Sequence, residues 1–503
     1  MKNFLLFPPQ WIALSPHFAL TALGAYMKQE NFDVNIRDLN IEFYDYVLSP
    51  KYVKKSLKKI YEIEKDLKVK ISQDYSPSKN INEYSEEFQA KMKQYLMIKD
   101  LINRNPKEIE DLLNSIEKAK KVMKNKENFY SSKKLLDAMK TIDKVLYIAS
   151  IPYYPAKIEL YDYSDSLFKF TFEDIKKHCT DKSLNMFYEF YNRALPSIIT
   201  QNPDYIGISI NAYSQVIPGL TLAMLLKANS KTHVHIGGNY FSRVSTTFQK
   251  YPEFFKIFAH SLTIEEGEKS LIELMRHLKG EIDIKDVSNL IYLDNDNNVV
   301  MNPKNPPLKL NEMPTQNLDG FPLDLYLMPD VVLPILSSRS CYWKKCTFCD
   351  HDYGQTYNVK DIDKLINEIR EINQKFGIKY FEFIDEAINP DYVKSFSEKI
   401  IESGLKISWY CNARLESGFT KEVFLIARQA GLKMILWGFE SGSERIMEMI
   451  NKGIDIEKRF EILKMAKEAD IWNFTYIFFG FPTETIEDAK QTLEAICKNT
   501  DTI

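Results

Sequence analysis

No apolar run in the chain approaches the ~20 residues that a membrane-spanning helix needs. A charge excess of either sign is also missing. Against 66 Lys and Arg stand 69 Asp and Glu, a formal net charge of −3. The chain therefore has no general attraction for nucleic acid or for an anionic membrane surface. Six cysteines in 503 residues do not make a disulfide framework, and the clustering of three of them argues for a reducing, cytoplasmic setting. The N-terminus MKNFLLFPPQWIALSPHFALTALGAYM is apolar, but Pro8, Pro9 and His17 interrupt it and Lys2 is the lone charge ahead of it. It fits a first strand and helix better than a signal peptide.

What is present is enough for more than one core. Hydrophobic residues make up 45% of the chain, whose 503 residues exceed a single domain of ~100–200 residues. Asn3–Phe7 reads as a buried strand, Ala19–Lys28 as a helix and Phe32–Ile36 as a second strand, the start of a βαβ unit. From about 41 to 202 the character changes to Lys/Glu-rich helical segments such as Lys51–Lys68 and Pro106–Lys126. Their alternating charges suit the solvated faces of a large insertion, with aromatics such as Tyr153, Tyr163 and Phe168 packing it onto the core. The α/β pattern resumes with strands at Tyr205–Ile210, Val234–Ile236 and Phe255–Ala259 and helices at Ile217–Asn229 and Lys269–Leu278. This alternation predicts a doubly wound parallel sheet over 1–280.

Residues 281–330, with Asp/Asn turns and then prolines at 303, 306, 307, 314, 322 and 329, read as a linker. From 331 the alternation starts again. Strands are predicted at 331–336, 380–384, 406–410, 433–438 and 474–479, and helices at 359–376, 391–403, 420–430, 443–450, 456–469 and Ile486–Lys498. That is five βα units over 331–503, so a partial (β/α)6 barrel would be truncated at its C-terminus.

Between the first of these strands and the first helix lies SSRSCYWKKCTFCD, with Cys341, Cys346 and Cys349 spaced C-x4-C-x2-C. It leaves the C-terminal end of a strand, which is the active-site face of a parallel α/β scaffold. Three thiolates suit an iron–sulfur cluster in which one iron is left without a protein ligand. A zinc site with His351 as fourth ligand, in a binding or regulatory module, and a set of reduced core cysteines are the other readings.

The triplet, with Phe348 before its last cysteine, resembles the cluster loop of radical S-adenosylmethionine (radical SAM) enzymes. The usual spacing is C-x3-C-x2-C, and the additional residue here is a departure seen in members with cobalamin-type N-terminal domains. The order of strands in residues 1–280 resembles such a domain too. There a Ser-containing loop follows one strand and a Gly-Gly pair the next, matched here by Ser209 to Asn211 and by Gly237 and Gly238. The D-x-H-x-x-G motif that supplies cobalt's lower ligand is absent, and His17 stands roughly in its place without the preceding Asp. It is a cobalt ligand or an ordinary helix-start residue.

The resemblance implies a 4Fe-4S cluster on the three cysteines, S-adenosylmethionine and cobalamin. It places the SAM site at the strand ends: Asp385 and Glu386 in FEFIDEAIN near the amine, Arg414 pairing with the carboxylate, Glu440 and Ser441 in WGFESGSE near the ribose and amine, and Gly480 to Glu484 in FFGFPTET beside the adenine. Each has a plainer alternative. Asp385 and Glu386 can belong to a helix start, Ser441 or Ser443 can be a helix cap, Gly480 can serve only a turn, and Cys411 fits a core thiol. The class implied is a cobalamin-dependent (class B-type) radical SAM methyltransferase acting on an unactivated carbon or phosphorus of a small molecule or peptide. A flavodoxin- or ferredoxin-type donor would feed it electrons. A non-methylating rearrangement or cyclisation is the neighbouring possibility. The methylthiotransferase-like GFESGS hints at nucleic acid, but the acidic balance and the lack of a basic RNA-binding region argue against it.

Overall fold

Asn3–Phe7 forms strand β1, five residues long and buried throughout, as expected of a strand covered on both faces of a parallel sheet. It opens the computed structural model of the protein, which describes residues 1–349 and 356–502. His351, weighed above as a zinc ligand, lies outside the described residues. The chain divides into two units, Met1–Asn305 with Asp319–Val331, and Pro306–Leu318 with Val332–Ile503.

In the first unit a helix, Phe18–Gln29, returns the chain to β2 (Val34–Asp38), parallel to β1. The insertion follows. Its long helix Pro50–Asp74 starts at Ser49, whose hydroxyl accepts from Tyr52 N. That helix buries Val53, Ile60, Leu67 and Ile71, a heptad-like stripe on one face, while its lysines and glutamates face water. A short hairpin, β3 (Ala156–Ile158) and β4 (Tyr163–Asp165), lies within the insertion, and the helices Phe172–Thr180 and Phe187–Ala194 complete it. The chain then re-enters the sheet as β5 (Tyr205–Ser209), β6 (His233–Gly237) and β7 (Ser261–Thr263).

Two expectations are corrected here. Residues 281–330 are more than a linker. They contribute β8 (Leu290–Leu293) and β9 (Val299–Met301), which extend the sheet antiparallel around the Asp294–Asn298 turn. The predicted strand Phe255–Ala259 is mostly the end of a helix, Pro252–Ile257, with Pro252 in its first turn. A four-residue apolar cluster fits either period, and the proline was the better guide. The finished sheet has seven strands in the order β2-β1-β5-β6-β7-β8-β9. The chain moves from β1 to one side and then returns to β1's other side, so the switch point lies between β1 and β5.

The second unit holds a five-stranded, fully parallel sheet, together with a short antiparallel pair, β11 (Ser338–Arg339) and β12 (Asn358–Val359). The five are β10 (Val332–Ile335), β13 (Tyr380–Phe383), β14 (Ser408–Ala413), β15 (Leu432–Glu440) and β16 (Trp472–Ile477), adjacent in that order. All five predicted βα units are present, and no sixth strand of this sheet occurs among the described residues. Alternation fixes its faces. Trp409, Cys411 and Ala413 on β14 and Ile435, Trp437 and Phe439 on β15 are buried beneath the helices. Tyr410, Asn412 and Leu436 point to the other face and are only half-buried.

Candidate active site

At the C-terminal end of β10, Ser337 and Ser338 turn the chain into the cysteine loop. Both are gripped by Asp385, just beyond β13. Ser337 Oγ and Ser338 Oγ donate to Asp385 Oδ1 at 2.7 and 2.6 Å, and Ser337 N donates to Oδ2 at 3.2 Å. Burial raises the Asp385 pKa, and the serine bonds limit the rise. Both carboxylate oxygens thus accept from the serines, and Asp385 clasps the loop.

The far side of the loop is tied to the end of the helix Glu444–Ile450. Thr347 N donates to Ile450 O at 2.9 Å and Thr347 Oγ1 to Met449 O at 2.8 Å. Trp343 Nε1 donates to Asn451 O at 2.8 Å, and Asn451 Nδ2 returns a bond to Lys345 O at 3.1 Å. The last carbonyls of a helix have no partner within it, and the loop supplies several. Left-handed backbone at Ser340 and Lys344 (φ 64° and 57°) bends the loop between these ties.

Cys341 and Cys346 are half-buried and Cys349 is exposed. Burial raises the Cys346 pKa, Lys452 and Arg414 draw it down, and the Cys349 and Cys341 thiols add to the rise, so Cys346 senses both other cysteines. Among the described residues no three His, Cys, Asp or Glu side chains are disposed to hold a single metal ion.

The other predicted residues sit at neighbouring strand ends. Arg414, beyond β14, is buried. It bonds Glu416 and the carbonyl of Lys452, and its guanidinium lies 4.4 Å from the Trp343 ring centre and 5.3 Å from that of Tyr342. That geometry ties it to the loop. Glu440 ends β15 in left-handed backbone (φ 63°) and forms a buried ion pair with Lys452. Gly438 makes room for the pair, since a Cβ there would lie 2.1 Å from Lys452 Nζ and 2.6 Å from Glu440 Oε1.

Ser441 is buried, its hydroxyl 3.0 Å from Thr492 Oγ1, while Ser443 caps the helix Glu444–Ile450. Gly480 (φ 85°) has open space where a side chain would be, and its N–H bonds the Glu484 carboxylate. The other Glu484 oxygen is buried with no partner among the described residues. Phe348 packs on Phe478 with ring centres 5.1 Å apart. Glu386 is exposed, beside the Asp385 clasp.

Sequence reasoning missed Lys452, a lone lysine past a helix end that no motif marks. It also missed a polar row on the inner face of the sheet, half-buried at Glu382, Tyr410 and Asn412 and exposed at Tyr476. Glu382 on β13 stands opposite Tyr410 on β14. Burial raises the Glu382 pKa, and the Tyr410 hydroxyl partly offsets the rise. Tyr476 Oη lies 3.4 Å from Asn412 Oδ1. Strand alternation alone would have placed these side chains opposite the helices.

In the first unit the predicted corrinoid residues meet at the ends of β5 and β6, next to the switch point. Asn211 Nδ2 donates to Ser209 Oγ at 3.0 Å, and Asn239 N donates to Asn211 Oδ1 at 3.2 Å. Gly238 takes φ 106°, and a Cβ on it would lie 2.3 Å from Ile210 O, whereas Gly237 has nothing within 4 Å of a Cβ. Only glycine fits the first position, and the second borders a space. Gln10, just past β1, is buried, and its Nε2 has no partner among the described residues.

His17 is a helix cap. Its Nδ1 accepts from Ala19 N at 3.2 Å, and its ring stacks on Phe7 at 4.5 Å. Burial lowers its pKa to about 4, so the ring is neutral with its proton on Nε2.

Residues 335–496 match the radical SAM superfamily. An uncharacterized methyltransferase of Pyrococcus horikoshii is 27% identical over 301 residues, which cover 58% of this chain and 64% of that protein. The structure of TsrM from Kitasatospora setae, a radical S-adenosylmethionine methyltransferase with cobalamin and a [4Fe-4S] cluster bound, superimposes at a TM-score of 0.58. It does so at 13% identity over 99% of this chain and 70% of that one. OxsB, a cobalamin-dependent S-adenosylmethionine radical enzyme, superimposes at 0.52, with 22% identity over 62% of this chain and 46% of that one. The chain spans less than two thirds of the length of the curated relatives it matches. No described helix is long and apolar enough to cross a membrane. Residues 335–496 are thus a radical SAM domain, in a chain that shares the fold of the cobalamin-dependent radical SAM enzymes.

Proposed function

We propose that this chain is a cobalamin-dependent radical SAM methyltransferase acting on an unactivated carbon or phosphorus of a small molecule or peptide. Electrons would come from a flavodoxin- or ferredoxin-type donor. The observation that carries the reading is the C-x4-C-x2-C loop at the C-terminal end of the first strand of a parallel sheet, clasped by Asp385 on one side and by a helix end on the other. Cys341, Cys346 and Cys349 would hold the cluster. Gly237, Gly238, Ser209 and Asn211 would hold the corrinoid, whose approach the open space at Gly237 and the unpartnered Gln10 amide favour. When bound, the cluster supplies one electron for reductive cleavage of SAM and the corrinoid carries a methyl group.

The chain's own residues position and enclose. The exposed face of Phe348, the turn at Gly480, the Glu484 carboxylate and the Lys452-paired Glu440 line the strand ends where SAM would lie. The Glu382–Tyr410 row borders the space where a substrate would be held. Binding energy spent there orients the reacting centre.

The test is anaerobic reconstitution with a count of iron, sulfide and corrinoid per chain, followed by transfer of label from methyl-labelled SAM to product. Alanine at Cys341, Cys346 or Cys349 is expected to abolish cluster assembly and 5′-deoxyadenosine formation. Retained deoxyadenosine in any of the three would sink the ligand assignment. Substrate turnover without labelled methyl would point to a rearrangement or cyclisation instead.

A further inference from the structure

We propose that Trp343 is a positioning residue that anchors the cluster loop. The inference rests on the cluster reading above. Trp343 lies between Cys341 and Cys346 and is held from three directions. Its Nε1 donates to Asn451 O at 2.8 Å. The Arg414 guanidinium lies 4.4 Å from its ring centre, within range for a cation–π contact. Its other edge occupies the slot left by Gly453, where a Cβ would stand 1.9 Å from Cζ2 and 2.1 Å from Cη2. Gly453 sits at φ 68°, so both its missing side chain and its backbone suit the ring.

The anchor joins groups far apart in sequence. Arg414 leaves β14, bonds the Lys452 carbonyl and is itself paired with Glu416. Lys452 pairs with Glu440 at the end of β15. The indole is therefore the piece by which the loop grips a network that already spans two strand ends. Trp343 lies two residues after Cys341 and three before Cys346, so seating the indole fixes the path of the loop between two of the three cysteines.

The ring is only half-buried at the surface of its unit, so its removal can be tested in the full chain. Trp343→Ala and Trp343→Phe are each reconstituted anaerobically. Iron and sulfide per chain and the electron paramagnetic resonance spectrum of the reduced cluster are measured, with the melting temperature of the cluster-free protein alongside. Trp343→Ala is expected to hold less than half the wild-type iron and to show an altered spectrum, with cluster-free melting little changed. Trp343→Phe, which keeps a ring but loses the N–H, is expected to recover most of the iron. Wild-type iron and spectrum in Trp343→Ala overturns the proposal. So does a cluster-free melting temperature that falls in parallel in Trp343→Ala and Trp343→Phe, since the indole would then serve only the fold. A wild-type protein that takes up no iron is a different result, and defeats the cluster reading itself.

Discussion

A Cβ on Gly238 would stand 2.3 Å from the carbonyl oxygen of Ile210, on backbone already at φ 106°, while one on Gly237 would meet nothing within 4 Å. The two glycines should therefore separate stability from binding. Gly238→Val is expected to lower the unfolding free energy by several kcal/mol, about 1–3 kcal/mol of it from the backbone conformation alone, as read by urea denaturation. Gly237→Val should unfold as wild type does but retain less corrinoid after gel filtration. Equal corrinoid in the two proteins would remove Gly237 from the proposed site.

His235 gives a second test at this scale. It is buried, its Nδ1 is 2.9 Å from Ser261 Oγ, and burial lowers its pKa to about 3. The unfolded chain binds a proton here near pH 6.5 and the folded chain does not. Stability is thus lost as pH falls below about 6.5, by up to about 1.4 kcal/mol per pH unit from this residue. His235→Asn is expected to show a shallower loss between pH 6.5 and 4, and identical slopes would contradict it.

At the scale of elements, the end of β15 shows how a buried pair is held. Lys452→Met leaves the Glu440 carboxylate buried and alone, which costs about 3–5 kcal/mol. Adding Glu440→Gln should return part of that, a coupling that a double-mutant cycle in urea reads directly. Additive losses would mean that the pair does not act as one.

The same elements show what a sequence can and cannot disclose. Strands β1 and β5 and the last helix were legible because their apolar patterns and capping residues are local. The Phe255–Ala259 cluster was not, since four apolar residues suit either period and the tertiary fold chose the helix. Prolines at 303, 306 and 307 hid the hairpin at 290–301, because they follow it closely and made the whole stretch look irregular. The strand end that carries Arg414 is legible, but its contacts with Glu416, Lys452 and Trp343 are not. Sequence order places a side chain along a strand, whereas the direction of its guanidinium depends on Trp343, 71 positions earlier. Lys452 had no signal at all.

At the scale of the molecule, the insertion and the seven-stranded sheet share one apolar core. Leu6, Ile206 and Ile208 of the sheet belong to the same buried cluster as Ile60, Ile98, Ile142, Leu146 and Tyr191 of the insertion. The insertion's surface is a mosaic of ion pairs such as Arg104–Asp100 and Lys177–Glu87, which contribute little to stability individually. Its attachment is hydrophobic.

Anyone pruning this protein to a minimal catalyst would meet that attachment first. Cutting away 50–198 and bridging the gap would bare an oily flank of the sheet to water. The shortened polypeptide is expected in inclusion bodies rather than in the soluble fraction of a lysate, and a soluble monomer would show that the flank had found other cover.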